Sequence, residues 1–303
     1  GELDNGIFDI TLTGFDAAEI ADLFSKVHDK DIEEDNFDIE KELKEPALTQ
    51  IGDLWVLGEH RLFCGDSTEP KTFDLLMDGK EANLTVTDPP YNVNYEAAAG
   101  KIKNDNMKDE AFYEFLFKAF KNIEKVMAID ASIYVFHADT EGLNFRKAFT
   151  DAGFYLSGTC IWKKESLVLG RSPYQWQHEP VLFGWKRRGK HNWYSDRKQT
   201  TIWEFEKPKK NAEHPIMKPV ALIAYPIQNS SLKNSIVLDP FGGSGSTLIA
   251  CEQTNRICYM VELDEKFCDV IAKRYIEYMG SAENVFLYRS SSKYTYEDIQ
   301  PHL

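Results

Sequence analysis

The sequence predicts an α/β fold with a doubly wound, mostly parallel sheet, and three observations support this prediction. Short runs rich in Val, Ile, Leu and Thr alternate along the chain with longer amphipathic stretches, as in parallel strands joined by helices. One of these runs, 84–87, ends at Asp88-Pro89-Pro90-Tyr91, and another, 236–238, leads into a glycine-rich turn. Because open α/β folds bind ligands at the carboxyl ends of their strands, both turns are candidate functional sites.

The predicted elements follow this alternation in chain order. Strands are predicted at 61–64, 84–87, 132–136, 156–162, 180–185, 236–238 and 257–261, and helices at 70–77, 110–126, 143–152, 219–227 and 266–279. The strands 156–162 and 180–185 are expected to form an antiparallel pair, and residues 92–106 are expected to form a loop. One further helix is predicted at Ala17–Val27.

The composition agrees with one large domain and a small appendage. The 303 residues are 43% hydrophobic, which is ample for a core, and no apolar run approaches the ~18 residues of a membrane span. No signal peptide is visible, so we expect a cytoplasmic protein. The five cysteines lack paired metal-ligand spacing and are predicted to be buried, reduced thiols, with no metal site.

The net charge of −14 is concentrated at one end of the chain. Residues 1–50 hold fifteen acidic and four basic residues and are predicted to form a flexible or helical linker. In contrast, 163–218 hold thirteen Lys or Arg against six Asp or Glu, with several Trp and Tyr. Cations can pair with phosphates and aromatic rings can stack on bases, so this stretch is predicted to bind DNA. The alternative is a solvated basic surface whose aromatic residues lie in the core. The candidate contacts are Trp176, His178, Lys186, Arg187, Arg188, Arg197 and Lys198, with Lys101 and Lys103 in a predicted lid, 92–107.

The turn after residues 84–87 suits a flat heterocycle held by its exocyclic amine. Asp88 offers a carboxylate and Tyr91 a ring face, and the Pro89 carbonyl is an acceptor on a residue that has no N–H of its own. An ordinary strand-ending turn is the alternative, because Asp and Pro are common turn formers.

The glycine-rich turn, 239–247, predicts a nucleoside cofactor rather than a polyphosphate. A P-loop needs Lys before its Ser or Thr, but here Gly245 is followed directly by Ser246. A dinucleotide fingerprint needs a third glycine where this chain has Leu248. S-adenosylmethionine, with a nucleoside and a zwitterionic tail, fits a turn that holds no Lys or Arg. Glu262 ends the next strand and is a candidate acceptor for ribose hydroxyls, or otherwise a solvated strand end.

In this order, the two motifs resemble the S-adenosylmethionine-dependent DNA amino-methyltransferases of the permuted β class. In that class the catalytic half precedes the target-recognition region, and the cofactor loop comes last. The resemblance covers about 53–280 and includes Cys64-Gly65-Asp66-Ser67, His178-Glu179-Pro180 and His214-Pro215-Ile216-Met217-Lys218-Pro219, where many members have Thr-Gln in place of Ile216-Met217. Residues 12–16 and 52–55 are similar to the methylase half of phage and bacterial proteins that fuse a ParB-like nuclease to a DNA methylase.

The resemblance implies a seven-stranded Rossmann-like methyltransferase sheet and a division of the chain into segments. These are a linker from a missing ParB-like domain (1–50), a catalytic half (51–185), a target-recognition insertion (186–213), a cofactor-binding half (214–285) and a C-terminal tail (286–303). The chain opens with Gly1 rather than Met, so we expect a trimmed form of a longer protein. Double-stranded DNA is the implied partner, and a homodimer is left open.

The resemblance also implies a role for each matching residue. Asp88, Pro89, Pro90 and Tyr91 would form the catalytic turn, with Tyr91 stacked on the target base. The implied cofactor-binding residues are Asp66, His214, Lys218, Asp239, Phe241, Gly242, Gly243, Gly245, Ser246, Thr247 and Glu262. Asp66 would approach the cofactor adenine, and His214 and Lys218 its methionine end. Asp66 and His214 could equally be capping residues.

The expected activity is transfer of a methyl group to N6 of an adenine flipped out of DNA, as in restriction-modification systems. An N4-cytosine methyltransferase is one alternative, although that group more often has Ser or Thr before Pro-Pro-Tyr. RNA and protein-glutamine methyltransferases usually carry the cofactor loop first. A non-catalytic DNA-binding module is disfavoured by two intact motifs. The recognition sequence and any cognate endonuclease do not follow from the residues.

Overall fold

The computed structural model of the protein describes residues 32–92, 96–97, 100–101, 106–170, 172–205 and 217–299. The expected helix Ala17–Val27 and the candidate residues Lys103 and His214 lie outside these ranges. For Lys101 only the backbone is described.

The strands and helices of this part of the chain match most of the predicted elements. The strands are β1 (Leu54–Leu57), β2 (His60–Cys64), β3 (Ala82–Thr87), β4 (Glu96–Ala97), β5 (Gly100–Lys101), β6 (Met127–Phe136), β7 (Phe154–Val168), β8 (Trp176–Lys186), β9 (Ile202–Glu204), β10 (Ile236–Asp239), β11 (Ile257–Glu262), β12 (Val285–Arg289) and β13 (Ser292–Thr295). The helices are α1 (Ile39–Glu42), α2 (Pro70–Met77), α3 (Asp109–Val126), α4 (Gly142–Asp151), α5 (Val220–Ser230), α6 (Ser246–Thr254), α7 (Glu265–Met279) and α8 (Tyr296–Ile299). The segment 92–106, expected as a loop, contains the short β4–β5 pair.

In the described residues the main sheet has eleven strands, in the order β13-β12-β1-β2-β11-β10-β3-β6-β8-β7-β9. The predictions of seven strands and of a mostly parallel sheet are therefore wrong, whereas the α/β class is confirmed. The five central strands β2, β11, β10, β3 and β6 run parallel, but antiparallel pairs flank them on both sides. The four strands beyond the predicted seven are β1, β12 and β13 at one side of the sheet and β9 at the other.

Two segments contain strands that the sequence did not predict. In the predicted C-terminal tail (286–303), 286–289 and 292–295 belong to the β12–β13 hairpin, which pairs with β1. In the predicted target-recognition insertion (186–213), β9 pairs in parallel with β7. Both contacts join residues far apart in the chain, which local patterns do not report.

The sheet separates two apolar layers. On one face α2, α3 and α4 bury Phe and Leu side chains, and α5, α6 and α7 cover the other face. Phe112, Leu116 and Phe120 of α3 recur at helical spacing and are fully buried, as expected of an amphipathic helix on a sheet. All five cysteines are buried and unbridged. In the described ranges, none of the helices combines the length and apolarity that crossing a bilayer requires.

Candidate active site

The two sequence motifs meet because β3 and β10 are neighbouring parallel strands. Val237 lies opposite Leu84 and Leu238 opposite Thr85, so the turns that follow both strands leave the same edge of the sheet. The Thr87 hydroxyl donates a hydrogen bond of 2.9 Å to Asp239 Oδ1, across 152 positions of sequence. The structure thus brings Asp88-Pro89-Pro90-Tyr91 next to the glycine-rich turn, which we call the cofactor loop (239–247).

At the β3 end, Asp88 is held by two donors. Lys218 Nζ lies 2.5 Å from Asp88 Oδ2, and the Tyr91 hydroxyl donates to Asp88 Oδ1 at 2.5 Å. Lys218 Nζ also donates to Tyr91 Oη at 3.1 Å. The Asp88 side chain is 29% exposed and that of Lys218 only 14%, so the carboxylate is the more accessible partner of this pair.

Glu179 completes this group from a different strand. Because β8 runs antiparallel to β6, the beginning of β8 lies at the carboxyl edge of the parallel strands. Glu179 Oε2 accepts from Tyr91 at 3.1 Å and lies 3.2 Å from Lys218 Nζ, while Oε1 lies 2.5 Å from Lys164 Nζ. We call Asp88, Tyr91, Lys164, Glu179 and Lys218 the catalytic cluster.

Charge pairing decides the protonation of this cluster. Burial disfavours the Lys218 ammonium, but the carboxylates of Asp88 and Glu179 outweigh burial and raise the pKa of Lys218 above its ordinary value. Burial likewise opposes ionisation of Glu179, but the ammonium groups of Lys218 and Lys164 lower its pKa to about 2. Burial and the two carboxylates raise the pKa of Tyr91, so its phenol stays protonated. The cluster therefore holds charged partners at neutral pH.

The cofactor loop adopts a path that glycine permits. Gly243 and Gly245 have φ values of +52° and +87°, in the left-handed region that side chains with a Cβ rarely enter. At Gly242 a Cβ would lie 2.9 Å from Met260 Cε and 3.2 Å from Ile271 Cδ1, so a larger residue would require these side chains to shift. The loop then enters α6 at Ser246, with Gly245 as the N-cap residue.

Hydroxyls and backbone amides, rather than cations, hold the carboxylates of this region. Asp239 accepts from Thr247 Oγ1 at 2.6 Å and from Thr87, and Glu262 accepts from the amides of Gly243 and Asp264, both at 2.8 Å. Burial raises the pKa of Asp239 to about 7 and that of Glu262 to about 7, and these hydrogen bonds only partly offset it.

Two further predicted cofactor residues lie beside the loop. Phe241 is half-buried, with its ring centroid 5.8 Å from that of Phe115. Asp66 follows β2, next to β11, and the Gly65 amide donates to the Glu262 carbonyl at 2.9 Å. Asp66 Oδ1 accepts from the Thr68 amide at 2.8 Å, a contact within the turn before α2, whose N-cap residue is Glu69.

Lys218 joins the two parts of the site. Its ammonium, predicted to lie near the methionine end of the cofactor, contacts Asp88, because α5 packs across β3 and β6 and brings the segment before the helix to the β3 turn. Its carbonyl nevertheless accepts from Ser246 Oγ of the cofactor loop at 2.8 Å. Lys218 therefore touches both parts of the site.

The predicted DNA contacts divide between two edges of the sheet. Trp176 and His178 begin β8 and lie beside the catalytic cluster, with their rings 5.6 Å apart. Lys186 ends the same strand, Trp185 pairs with Ser132 in the middle of β6, and the Lys190 amide donates to the Ile129 carbonyl, so 186–188 lie toward the opposite edge. Arg197 and Lys198 are exposed in the connection between β8 and β9. The structure does not bring the basic run 186–188 to the catalytic cluster.

The predicted lid leaves and returns at one point beside Tyr91. Asn92 Nδ2 donates to the Met107 carbonyl at 3.0 Å, and the Met107 amide donates to Asn92 Oδ1 at 2.5 Å. Asn92 has a φ of +58°, a conformation that Asn tolerates better than most residues. This reciprocal pair fixes both ends of the segment next to the catalytic turn.

Sequence reasoning gave no role to Glu179 or Lys164. Glu179 stands within the quoted His178-Glu179-Pro180 motif, and a carboxylate at the start of a predicted strand was the available signal. Lys164 was counted only as part of a basic stretch. In the described residues, no group of three or more His, Cys, Asp or Glu side chains is arranged to hold a metal ion.

Comparison with known protein families matches two parts of the chain. Residues 82–274 match the model of a DNA methylase family whose members act at N6 or N4. Residues 1–51 match the model of the helix-turn-helix domain of ParB-methyltransferases. The match to 1–51 concerns a segment for which the sequence suggested a linker.

Individual proteins agree with the family match. The DNA adenine methyltransferase YhdJ of Escherichia coli is 24% identical over 235 residues, which are 64% of this chain and 76% of YhdJ. The crystal structure of an M1.HpyAVI–SAM complex superposes with a TM-score of 0.54 and 21% identity, covering 70% of this chain and 98% of that one. The cytosine-N4-specific PvuII DNA methyltransferase has a TM-score of 0.53 and 17% identity, covering 71% and 92%. These structural likenesses establish a shared fold.

Proposed function

The chain belongs to the N6/N4 DNA methylase family, and we propose that, with S-adenosylmethionine as its cofactor, it methylates the N6 amine of adenine in double-stranded DNA. The observation that carries this proposal is the position of Asp88 beside the cofactor loop. The hydrogen bond between Thr87 and Asp239 joins the strand that presents Asp88 to the strand that begins the loop.

The residues of the cofactor loop suit S-adenosylmethionine. Glu262 lies at the end of β11 and can accept hydrogen bonds from ribose hydroxyls, and the Phe241 ring offers a flat surface to adenine. The loop contains no Lys or Arg, so a polyphosphate would lack a partner for its charge. When bound, the cofactor supplies a methyl group carried on a positively charged sulfur.

Asp88 and Pro89 can orient an amine that is by itself a weak nucleophile. The lone pair of an adenine amine is delocalised into the ring, so the amine must be oriented before it can react. The Asp88 carboxylate and the Pro89 carbonyl can each accept one amine hydrogen, which directs the nitrogen lone pair toward the cofactor. Positioning of this kind can contribute about 7–11 kcal/mol. As positive charge develops on the nitrogen, the nearby carboxylate stabilises it.

Glu179 explains how Asp88 can become available to the base. In the structure Lys218 donates to Asp88 Oδ2 and Tyr91 donates to Oδ1, so an arriving amine would compete with these donors. Glu179 Oε2 lies 3.2 Å from the same ammonium and offers it a second acceptor. We propose that Lys218 shifts toward Glu179 as the base enters, so that no buried charge loses its partner.

The β7–β8 hairpin is the proposed DNA surface. It continues past the end of β6, which stops opposite Val181, and so projects beyond the edge that holds the catalytic cluster. Large apolar side chains are exposed on the projecting part: Leu167 (50%), Leu169 (85%), Tyr174 (89%) and Trp176 (40%). Side chains of this kind can fill the space that a flipped base leaves in the duplex. We propose that the enzyme acts in the bacterial cytoplasm, where its DNA substrate lies.

Adenine is favoured over cytosine by Asp88, because the resemblance associates Asp before Pro-Pro-Tyr with adenine. YhdJ is an adenine enzyme and PvuII methyltransferase a cytosine-N4 enzyme, so the base needs direct measurement. Purified protein, unmethylated DNA and labelled S-adenosylmethionine should yield N6-methyladenine after digestion to nucleosides, and Asp88→Ala should yield none. N4-methylcytosine alone would overturn the assignment of the base. No methylated nucleoside from DNA of diverse sequence would overturn the proposed function.

A further inference from the structure

Residues 32–49, which we call the strap, cross the face of the methylase domain before β1 begins. Phe37 and Ile39 are buried against Met217 and Val270, so the strap packs on α7 and on the segment that leads to Lys218. The strap also forms the last part of the region that matches a helix-turn-helix domain, 1–51. Its contacts reach the cofactor loop.

A buried ion pair joins the strap to α7. Asp35 Oδ2 accepts from Arg274 Nε at 2.9 Å and from Arg274 Nη2 at 2.7 Å. The side chains of Arg274 and Asp35 are 1% and 12% exposed, so Asp35 is the hydrogen-bonded counter-ion of a buried guanidinium, which the neighbouring Glu34 carboxylate also attracts.

The same guanidinium holds the cofactor loop. Arg274 Nη1 donates to the Ser244 carbonyl at 2.8 Å and to Ser246 Oγ at 3.4 Å. Ser246 Oγ in turn donates to the Lys218 carbonyl at 2.8 Å. A continuous chain of contacts therefore runs from Asp35 through Arg274 to the loop and to the backbone of a catalytic-cluster residue.

Neighbouring strap residues fix the geometry of this chain. The Glu33 backbone forms two hydrogen bonds with the Gln253 side chain, of 2.8 and 2.7 Å, at the end of α6. Glu34 Oε1 accepts from the Ala221 amide at 3.3 Å, at the first turn of α5. Asp35 is thus held between the two helices that border the cofactor loop and Lys218.

We propose that Asp35 and Arg274 are positioning residues for cofactor binding, and that residues 33–35 of the strap are a working part of the methyltransferase site rather than a passive linker. This inference rests on the proposed function, because it assigns the loop to S-adenosylmethionine. The forked guanidinium is needed because one side chain must bind a carboxylate and a carbonyl at once.

The test is the affinity of the full chain for S-adenosylhomocysteine, measured by calorimetry. Asp35→Asn should weaken binding about tenfold, since it removes the charge that orients Arg274. Arg274→Lys keeps the positive charge but loses the fork, and should weaken binding to a similar extent. Hydrogen exchange of the cofactor-loop amides, measured without ligand, should become faster in both variants.

Glu42→Gln is the matched control. It removes the ion pair between Glu42 and Lys273, whose side chains are 17% and 19% exposed, from the same strap and the same helix. This pair does not contact the cofactor loop, so Glu42→Gln should lower the melting temperature and leave affinity and loop exchange unchanged. Equal affinity in Asp35→Asn and Glu42→Gln would overturn the proposal. A wild-type chain that binds no S-adenosylhomocysteine would instead overturn the proposed function.

Discussion

Asp88 and Asp239 lie on adjacent strands, yet their surroundings are opposite. Asp88 is half-buried and paired with the Lys218 ammonium, inside a cluster of two carboxylates and two ammonium groups. Asp239 is 3% exposed and held by hydroxyls and a backbone amide, so its pKa is raised to about 7. The catalytic side of the cleft holds carboxylates paired with ammonium groups, whereas on the cofactor side the pKa of Asp239 lies close to neutral pH.

The difference shows how one sheet edge can serve two tasks. A carboxylate that must hold an amine in a fixed direction benefits from a permanent charge and a rigid partner. A pocket for a molecule with both positive and negative groups benefits from carboxyl groups that can gain or lose a proton when that molecule binds. We therefore expect substitutions on the two sides to have different signatures, and the following predictions proceed from the largest expected effect to the smallest.

Asp88→Asn should separate the two sides most clearly. It keeps the shape of the side chain but removes the charge that orients the amine, so kcat should fall by about a thousandfold. Affinity for S-adenosylhomocysteine should stay within several-fold, because Asp88 lies outside the cofactor loop. Single-turnover rates and calorimetry measure the two quantities. A comparable loss of cofactor affinity would contradict the division.

Lys218→Met should reveal the charge balance of the catalytic cluster. Asp88 and Glu179 would lose their shared cation, and breaking a buried pair in this way destabilises a protein by about 3 kcal/mol. Chemical denaturation at neutral pH measures the free energy of unfolding. Lys163→Met is the control, because the pair of Lys163 with Glu204 is 55% and 66% exposed and should contribute nothing measurable. Equal losses in the free energy of unfolding would show that the ion pairs of the catalytic cluster contribute no more to stability than an exposed pair does.

The cofactor side should respond to pH in a defined direction. Burial raises the pKa of Glu262 to about 7, and its ionised form is the better acceptor for ribose hydroxyls. Its ionised fraction rises about tenfold between about pH 6 and about pH 8, so cofactor affinity should rise with pH over that window. Glu262→Gln should flatten the profile. An unchanged slope in this variant would assign the titration to another group.

The same raised pKa has the opposite effect on stability without cofactor. A carboxyl whose folded pKa is raised binds more protons in the folded state than in the unfolded state. Its contribution to stability is therefore present below its ordinary pKa of 4.5 and lost as pH rises toward about 7. Glu262→Gln should reduce this decline in the free energy of unfolding, measured by denaturant titration at several pH values. A decline as steep as in the wild type would assign it to other groups.

DNA binding should depend more on the β7–β8 hairpin than on the basic run at the other edge. Tyr174→Ala with Trp176→Ala should weaken DNA binding about tenfold, as expected when stacking rings are removed. Replacing Lys186, Arg187 and Arg188 by Gln tests the charge contact predicted from sequence. If DNA lies only over the catalytic edge, this triple change should leave the salt dependence of binding almost unaltered. A flattened slope would instead support that contact.

Local signals predicted the parts of the fold that depend on local chemistry. Helix α2 has its predicted bounds: Pro70 is its first residue, a favoured place for Pro, and Asp78 follows its last residue with a φ of +50°. The cofactor loop was identified because its glycines are needed by its backbone. The strands β12 and β13 were missed, since their pairing with β1 joins distant parts of the chain.

The positions of site residues could likewise be predicted from the sequence only where they depend on local signals. The motif residues after β3 and β10 lie where the sequence placed them, because the carboxyl ends of parallel strands share an edge. The contact of Lys218 with Asp88 spans 130 positions and depends on how α5 packs, which no local pattern encodes. The location of Lys186 depends on the direction of β8 relative to β6, and Arg274 is buried by contacts with the strap.

The direction of β8 also bears on how such enzymes can diversify. Val181–Trp185 are fixed between β6 and β7, so the pleat of this strand sets where Glu179 points. Beyond Trp176 the hairpin has no such neighbour in β6, and its tip can change in length or composition without rotating Glu179. Descendants of one ancestor could in this way acquire new target preferences while inheriting the same chemistry unaltered.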